Sequence, residues 1–184
     1  SFVDKMNLIN EHNPSLLDIR WLKWVNNNKV DLENIIDYSR DYEFDFFGFK
    51  TLERAYLIRN IKTNTIYERP QDMFLRVASF INKGDLEKTK ITYDLISNKA
   101  YTHASPTLFN AGTARSQLSS CFLLGTHDSL EGITQTWDRV AKISKWGGGI
   151  GIHISNIRAK DSIIRGTNGP SSGIIPMLQV YNNI

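Results

Sequence analysis

The stretch SQLSSCFLLG, residues 116–125, holds the only cysteine of the chain, Cys121, directly after two serines and before an apolar run. A thiol is a nucleophile and a reductant once it loses its proton. It is also a small hydrophobe that packs well in cores. In a run that reads as a buried strand, the residue types around Cys121 leave both roles open. A lone cysteine excludes an internal disulfide framework. His12, His103, His127 and His153 lie too far apart for zinc-ligand spacing, so no metal site is expected. Two glycine-rich stretches invite comparison with phosphate-binding loops. GGGIGI (147–152) lacks the third glycine of the dinucleotide fingerprint and follows a helical pattern, whereas that fingerprint opens a helix. GTNGPSSG (166–173) has no Lys-Ser or Lys-Thr after its glycines, so it is not a Walker loop. Three consecutive glycines, Gly147 to Gly149, still imply close approach of the backbone to another backbone or to a ligand, which a side chain would prevent.

The elements that must hold these residues fall into two grammars. Residues 1 to about 100 read as helices. SLLDIRWLKWV (15–25) sets Leu16, Ile19, Leu22 or Lys23, and Val25 near helical spacing. YEFDFFGFKTLERAYLIRN (42–60) joins an irregular turn at Gly48 to a segment whose pattern fits helix or strand. In RPQDMFLRVASFINKGD (69–85), Pro70 suits the first helical position. Met73, Phe74, Val77, Ala78 and Ile81 share a face, and Gly84 follows as a left-handed cap would. DLEKTKITYDLISNKA (85–100) predicts a further helix capped by Asp85.

After residue 100, short apolar runs alternate with Gly, Ser, Pro and Asn. Strands are predicted over 116–124 and 150–157, with a helix between them in DSLEGITQTWDRVAKISKWGG. Asp128 is placed to cap that helix and Glu131 to complete a capping box, while Leu130, Ile133, Trp137 and Val140 form one stripe. Ile143 and Trp146 lie off the stripe, so the helix carries apolar surface beyond what one core needs. Strand, helix and strand at this length predict a crossover with parallel strands, and another helix starts near Gly173 and runs to the end of YNNI. A chain that ends inside an amphipathic helix is expected to be a piece of something larger.

Composition narrows the function classes. Hydrophobic residues make up 41% of the 184 and charged residues 22%, which is a globular balance. The net charge of +3, from 22 basic and 19 acidic residues, is scattered, with none of the basic clustering of nucleic-acid binders. No long apolar window and no signal-peptide pattern is present, so a cytoplasmic protein off the membrane is expected.

Six segments together carry a resemblance: FFGFKTLERAYL (46–57), ERPQDMFLRVA (68–78), THASPTLFNAGT (102–113), QLSSCFLL (117–124), KWGGGIGIHISNIRA (145–159) and GTNGPSSGIIPMLQVYNN (166–183). In this order they resemble the large subunit of aerobic class I ribonucleotide reductase, of the eukaryotic and viral type. The resemblance implies an α/β fold, with a helical N-terminal domain over residues 1–114 and the start of a ten-stranded α/β barrel over residues 115–184. It also implies radical-based reduction of ribonucleoside diphosphates to deoxyribonucleotides.

By that resemblance Cys121 matches the first cysteine of a redox-active pair, on a strand screened from water by neighbours such as Phe122 and Leu123. Ser105, Ser120 and Gly149 match substrate contacts; otherwise they are a turn before Pro106, a polar strand end and a tight bend. Asp128, Ser129, Leu130, Lys145, Arg158, Arg165 and Gly166 align with an allosteric site for a deoxynucleoside triphosphate or ATP. There Lys145 and the arginines would neutralise phosphates. Arg165 departs from the small residue expected in this loop, which leaves a solvated arginine as its other reading. The implied partners are a metal-bearing small subunit that supplies the radical, thioredoxin or glutaredoxin as reductant, and a second large subunit in a homodimer. No cofactor is expected on this chain itself, and the rest of the catalytic machinery would lie beyond it, so the chain alone is expected to be inactive. Two alternatives stay open: a noncatalytic nucleotide-binding or assembly module, and an adenosylcobalamin-dependent reductase.

Overall fold

In the computed structural model, which describes residues 1–60 and 62–183, the chain divides into two compact units, Ser1–Leu118 and Ser119–Ile184. Residues 115–118 stay with the first unit, where Asn110 Nδ2 donates to the Gln117 carbonyl and Thr107 Oγ1 to that of Leu118. The division therefore falls after Leu118, beyond the residue 114 boundary drawn from the sequence.

The first unit is helical. Helices α1 (Phe2–His12), α2 (Ile19–Asn27) and α3 (Lys29–Ile35) lead to a 3-10 helix over Tyr38–Glu43. Then come α4 (Phe46–Ala55), α5 (Pro70–Ile81), α6 (Leu86–Ser97) and α7 (Ser105–Asn110). Local signals set many of these ends: Asp18, Asp45 and Asp85 accept backbone N–H groups at the starts of α2, α4 and α6. The ambiguous stretch 42–60 thus holds a helix. Gly48 lies within its first turn, its N–H bonded to Asp45, and not in an irregular turn.

Helix α5 is the centre of the unit. Every residue from Pro70 to Ser79 is buried, so the one-sided stripe read from the sequence is in fact a helix covered all round. Most of its buried polar groups are bonded, Gln71 Nε2 being an exception without a partner among the described residues. Asp72 accepts from Arg69 N and from the Tyr38 hydroxyl, and Ser79 Oγ accepts from Trp21 Nε1. Helix α5 ends at Ile81, and two residues turn left-handed after it, Lys83 before Gly84. Ile19, predicted to face the core, is the first residue of α2 and is exposed; Trp21 takes the buried place with Leu22 and Val25.

The second unit holds β1 (Cys121–Gly125), α8 (Leu130–Lys145), β2 (Gly149–His153), the short strands β3 (Ile163–Ile164) and β4 (Gly169–Pro170), and α9 (Ile174–Asn182). β1 and β2 pair in parallel with α8 as the crossover, while β3 and β4 form a small antiparallel hairpin. No closed barrel forms among the described residues. Both predicted strands are shorter than read. Residues 117 and 118 are tied to α7, and beyond His153 the chain turns, with Ile157 N bonded to the Ile154 carbonyl. The predicted end of the last helix falls partly on Ile184, outside the described residues.

Helix α8 departs from its predicted details. Its N-cap is Ser129, whose hydroxyl accepts from Gly132 N at 3.0 Å, so Asp128 precedes the cap and Glu131 is one place too early to close a box. Its buried face is Gly132, Thr136 and Val140, spaced at i, i+4 and i+8, and Leu130 is 70% exposed. A Cβ on Gly132 would lie 2.7 Å from the His127 carbonyl, so this small residue lets the preceding loop fold onto the first turn. Helix α9 packs on α8 through Tyr181, whose ring meets Trp137 edge-on at 6.1 Å. No helix among the described residues is long and apolar enough to cross a membrane.

Candidate functional site

β1 and β2 build a two-faced ribbon. In register, Cys121 sits beside Gly149, Leu123 beside Gly151 and Gly125 beside His153. Alternation sends these six residues to one face and Phe122, Leu124, Ile150 and Ile152 to the other. The second set is half-buried, and α8 packs against both strands from the same unit. The first face is exposed, with Leu123 at 89% and Cys121 open to solvent. Cys121 is therefore neither a core thiol nor screened by its neighbours. Phe122 points to the opposite face, and Leu123 shares its exposure.

Glycine gives this face its shape. Gly149 contributes no side chain, so the Cys121 thiol stands beside bare backbone, while the Leu123 side chain lies over Gly151. A Cβ on Gly149 would lie 3.2 Å from the Ser120 carbonyl and 4.0 Å from Cys121 Sγ. That carbonyl accepts the Gly149 N–H at 2.7 Å, so the close approach foreseen from the glycine run is between these two backbones. Gly149 lies in a strand and not in a tight bend. Ser120, Cys121 and Gly149 are thus adjacent on an open face.

Ser105 belongs to the helical unit. It is the first residue of α7, not a turn, and its Oγ lies 2.9 Å from the Tyr56 hydroxyl. The Tyr56 ring stacks on Phe109 of α7 at 4.8 Å. From within the same unit, Arg76 donates to the carbonyls of Leu108 and Ala111 at 3.1 and 2.5 Å, and it pairs with Glu68 at 2.6 Å, both side chains fully buried. Two residues before Ser105, His103 has its Nε2 buried without a partner among the described residues, and burial lowers its pKa. Sequence reasoning missed Tyr56, Glu68 and Arg76. Their only sequence sign is Arg76, a charge set within the apolar run MFLRVA.

The residues aligned with an effector site are partly gathered. Arg158 Nε lies 3.1 and 2.9 Å from the two Asp128 oxygens, and its Nη1 donates to the Ile163 carbonyl at 3.4 Å. Arg158 therefore joins the loop before α8 to the hairpin whose turn carries Arg165 and Gly166, both exposed. Ser129 spends its hydroxyl on the helix cap, and Leu130 projects into solvent. Lys145 stands apart. It ends the sixteen-residue α8, about 22 Å from Leu130 at 1.5 Å per residue, with its Nζ over the Trp146 ring. Among the described residues no group of His, Cys, Asp and Glu could hold a metal ion.

Comparison with known proteins bears on the whole chain. Residues 42–116 match the family model described as the ribonucleotide reductase all-alpha domain, and residues 119–184 match its barrel domain. The ribonucleoside-diphosphate reductase large subunit of Variola virus is 53% identical over 185 residues, covering 98% of this chain and 24% of the viral protein. The large subunit of Trypanosoma brucei brucei is 52% identical, covering 94% and 21%, and that of Arabidopsis thaliana is 55% identical, covering 85% and 19%. The chain spans about a quarter or less of the length of these curated relatives.

Proposed function

The chain belongs to the ribonucleotide reductase large-subunit family, and from that premise we propose that it forms the helical domain and first barrel strands of an enzyme that reduces ribonucleoside diphosphates to 2′-deoxyribonucleoside diphosphates. The observation that carries this reading is Cys121 at the head of β1, its thiol exposed beside the bare backbone of Gly149. In the proposed reaction a radical generated on a metal-bearing small subunit activates the ribose. The Cys121 thiol and a second thiol from the rest of the protein then supply two electrons and two protons. The C2′–OH bond breaks, a C2′–H bond forms, water leaves, and the two sulfurs join as a disulfide. A dithiol protein such as thioredoxin or glutaredoxin restores both thiols.

The exposed face fits this role, because a reductant that must meet a ribose cannot be buried under its own chain. The remaining barrel would then cover that face and exclude water from the radical. Ser105, Ser120 and Gly149 are proposed to contact the substrate. Asp128, Ser129, Leu130, Arg158, Arg165 and Gly166 are proposed to receive a deoxynucleoside triphosphate or ATP that selects the substrate base. Lys145, too far along α8 to meet that ligand, would serve the site of a second copy in a two-fold homodimer. The single unpaired thiol fits a reducing cytoplasm.

The test uses the complete large subunit assembled with its small subunit. Cys121→Ser is expected to abolish dithiol-driven deoxynucleotide formation with little change in melting temperature, because the exposed side chain packs against little. A rate within about tenfold of wild type, a difference of ~1.4 kcal/mol, would remove Cys121 from the chemistry.

A further inference from the structure

We infer that Tyr56 is a positioning residue for substrate, orienting the Ser105 hydroxyl through their hydrogen bond. This rests on the proposal that Ser105 contacts the ribonucleoside diphosphate. Tyr56 closes the C-terminus of α4, half-buried, and its hydroxyl lies 2.9 Å from Ser105 Oγ. Its ring cannot swing freely, because it stacks on Phe109 one turn along α7 from Ser105. α7 is in turn fixed by the buried guanidinium of Arg76 on the carbonyls of Leu108 and Ala111. The phenol and the serine are therefore held together from both sides, one by α4 and the other by an anchored helix.

Donor and acceptor roles follow from the chemistry of the ligand. The oxygens of a diphosphate at neutral pH only accept hydrogen bonds, so a hydroxyl that serves them must spend its single proton on them. Ser105 Oγ then accepts from its other neighbour, and the neighbour within reach is the Tyr56 O–H. A donor bound on one side of a hydroxyl polarises it and strengthens the bond it donates on the other. Without the phenol, the Ser105 hydroxyl turns freely about its Cβ–Oγ bond and must be ordered on each binding event.

Tyr56→Phe keeps the ring and its stack and removes only the hydroxyl. In the complete subunit with its small subunit, it is expected to raise both KM and the calorimetric Kd for a ribonucleoside diphosphate by roughly three- to tenfold, the range of one neutral hydrogen bond. kcat and melting temperature should change little. Ser105→Ala is expected to raise KM by at least as much, and adding Tyr56→Phe to it should cost nothing further. A Tyr56→Phe enzyme with unchanged KM and Kd, beside a Ser105→Ala enzyme in which both rise, would overturn the role of Tyr56 alone. An equal effect of Tyr56→Phe with and without Ser105 would also overturn it, since the phenol would then act by another route. Normal affinity in Ser105→Ala would overturn the substrate role of Ser105 and this inference with it.

Discussion

Replacing Arg76 with methionine should remove more stability from the helical unit than any other single change to its polar groups. Methionine keeps an unbranched stem in the space beside α7 but loses four hydrogen bonds: two to Glu68, at 2.6 and 3.1 Å, and those to the Leu108 and Ala111 carbonyls. Glu68 is left fully buried, with the Ile58 N–H at 2.9 Å as its remaining bond. Breaking such a pair from one side costs about 3–5 kcal/mol, because the surviving charge stays desolvated. Total domain stability is only about 5–15 kcal/mol, so the loss is a large share of it. The readout is native-state hydrogen exchange at the amides of α5, which open with the unit's global unfolding. The double variant Glu68→Met, Arg76→Met removes the stranded charge and should recover most of the loss. A residue of about 1–3 kcal/mol should remain, since the two carbonyls still lack their donor and the Ile58 N–H has lost its acceptor. A cost below about 1 kcal/mol for Arg76→Met, or a double variant no more stable than the single, would refute this account of the pair.

Two further outcomes are expected. In the complete subunit, Arg158→Ala should weaken binding of a deoxynucleoside triphosphate by about 1.5–3 kcal/mol, the range for bonds to charged groups, and speed hydrogen exchange in the hairpin at 163–170 that Arg158 tethers. Unchanged affinity in a calorimetric titration would take Arg158 out of the site. Burial makes protonation of His103 unfavourable in the folded state, so its pKa lies below the ordinary 6.5. Between that lowered value and 6.5 the unfolded chain binds more protons, so His103's contribution to stability is full above pH 6.5 and declines as pH falls below it. The urea midpoint of wild type should therefore drop from about pH 7.5 to about pH 5.5 by more than that of His103→Gln, and equal drops would show that His103 takes up its proton without penalty.

Much of this molecule is determined by short stretches of sequence. Asp85 caps the helix it precedes, Pro70 opens α5, and the glycine run at 147–149 brings two backbones together, because each of these is decided within a few residues by hydrogen-bond geometry or the absence of a Cβ. The family, too, was legible from its segments, through the order and wording of motifs rather than any one of them. Tertiary structure decided what depends on partners far along the chain. The local sequence marks Asp128 as a helix cap, and Arg158, thirty residues away, gives no local sign that it will take the carboxylate. Tyr56 meets Ser105 across 49 residues, and Glu68 and Arg76 come together only because both lie in the core around α5. The exposure of Cys121 was hidden for a different reason. CFLLG is apolar on both faces, so period-two alternation could not say which face α8 would cover, and only the packing of that helix leaves the thiol in the open.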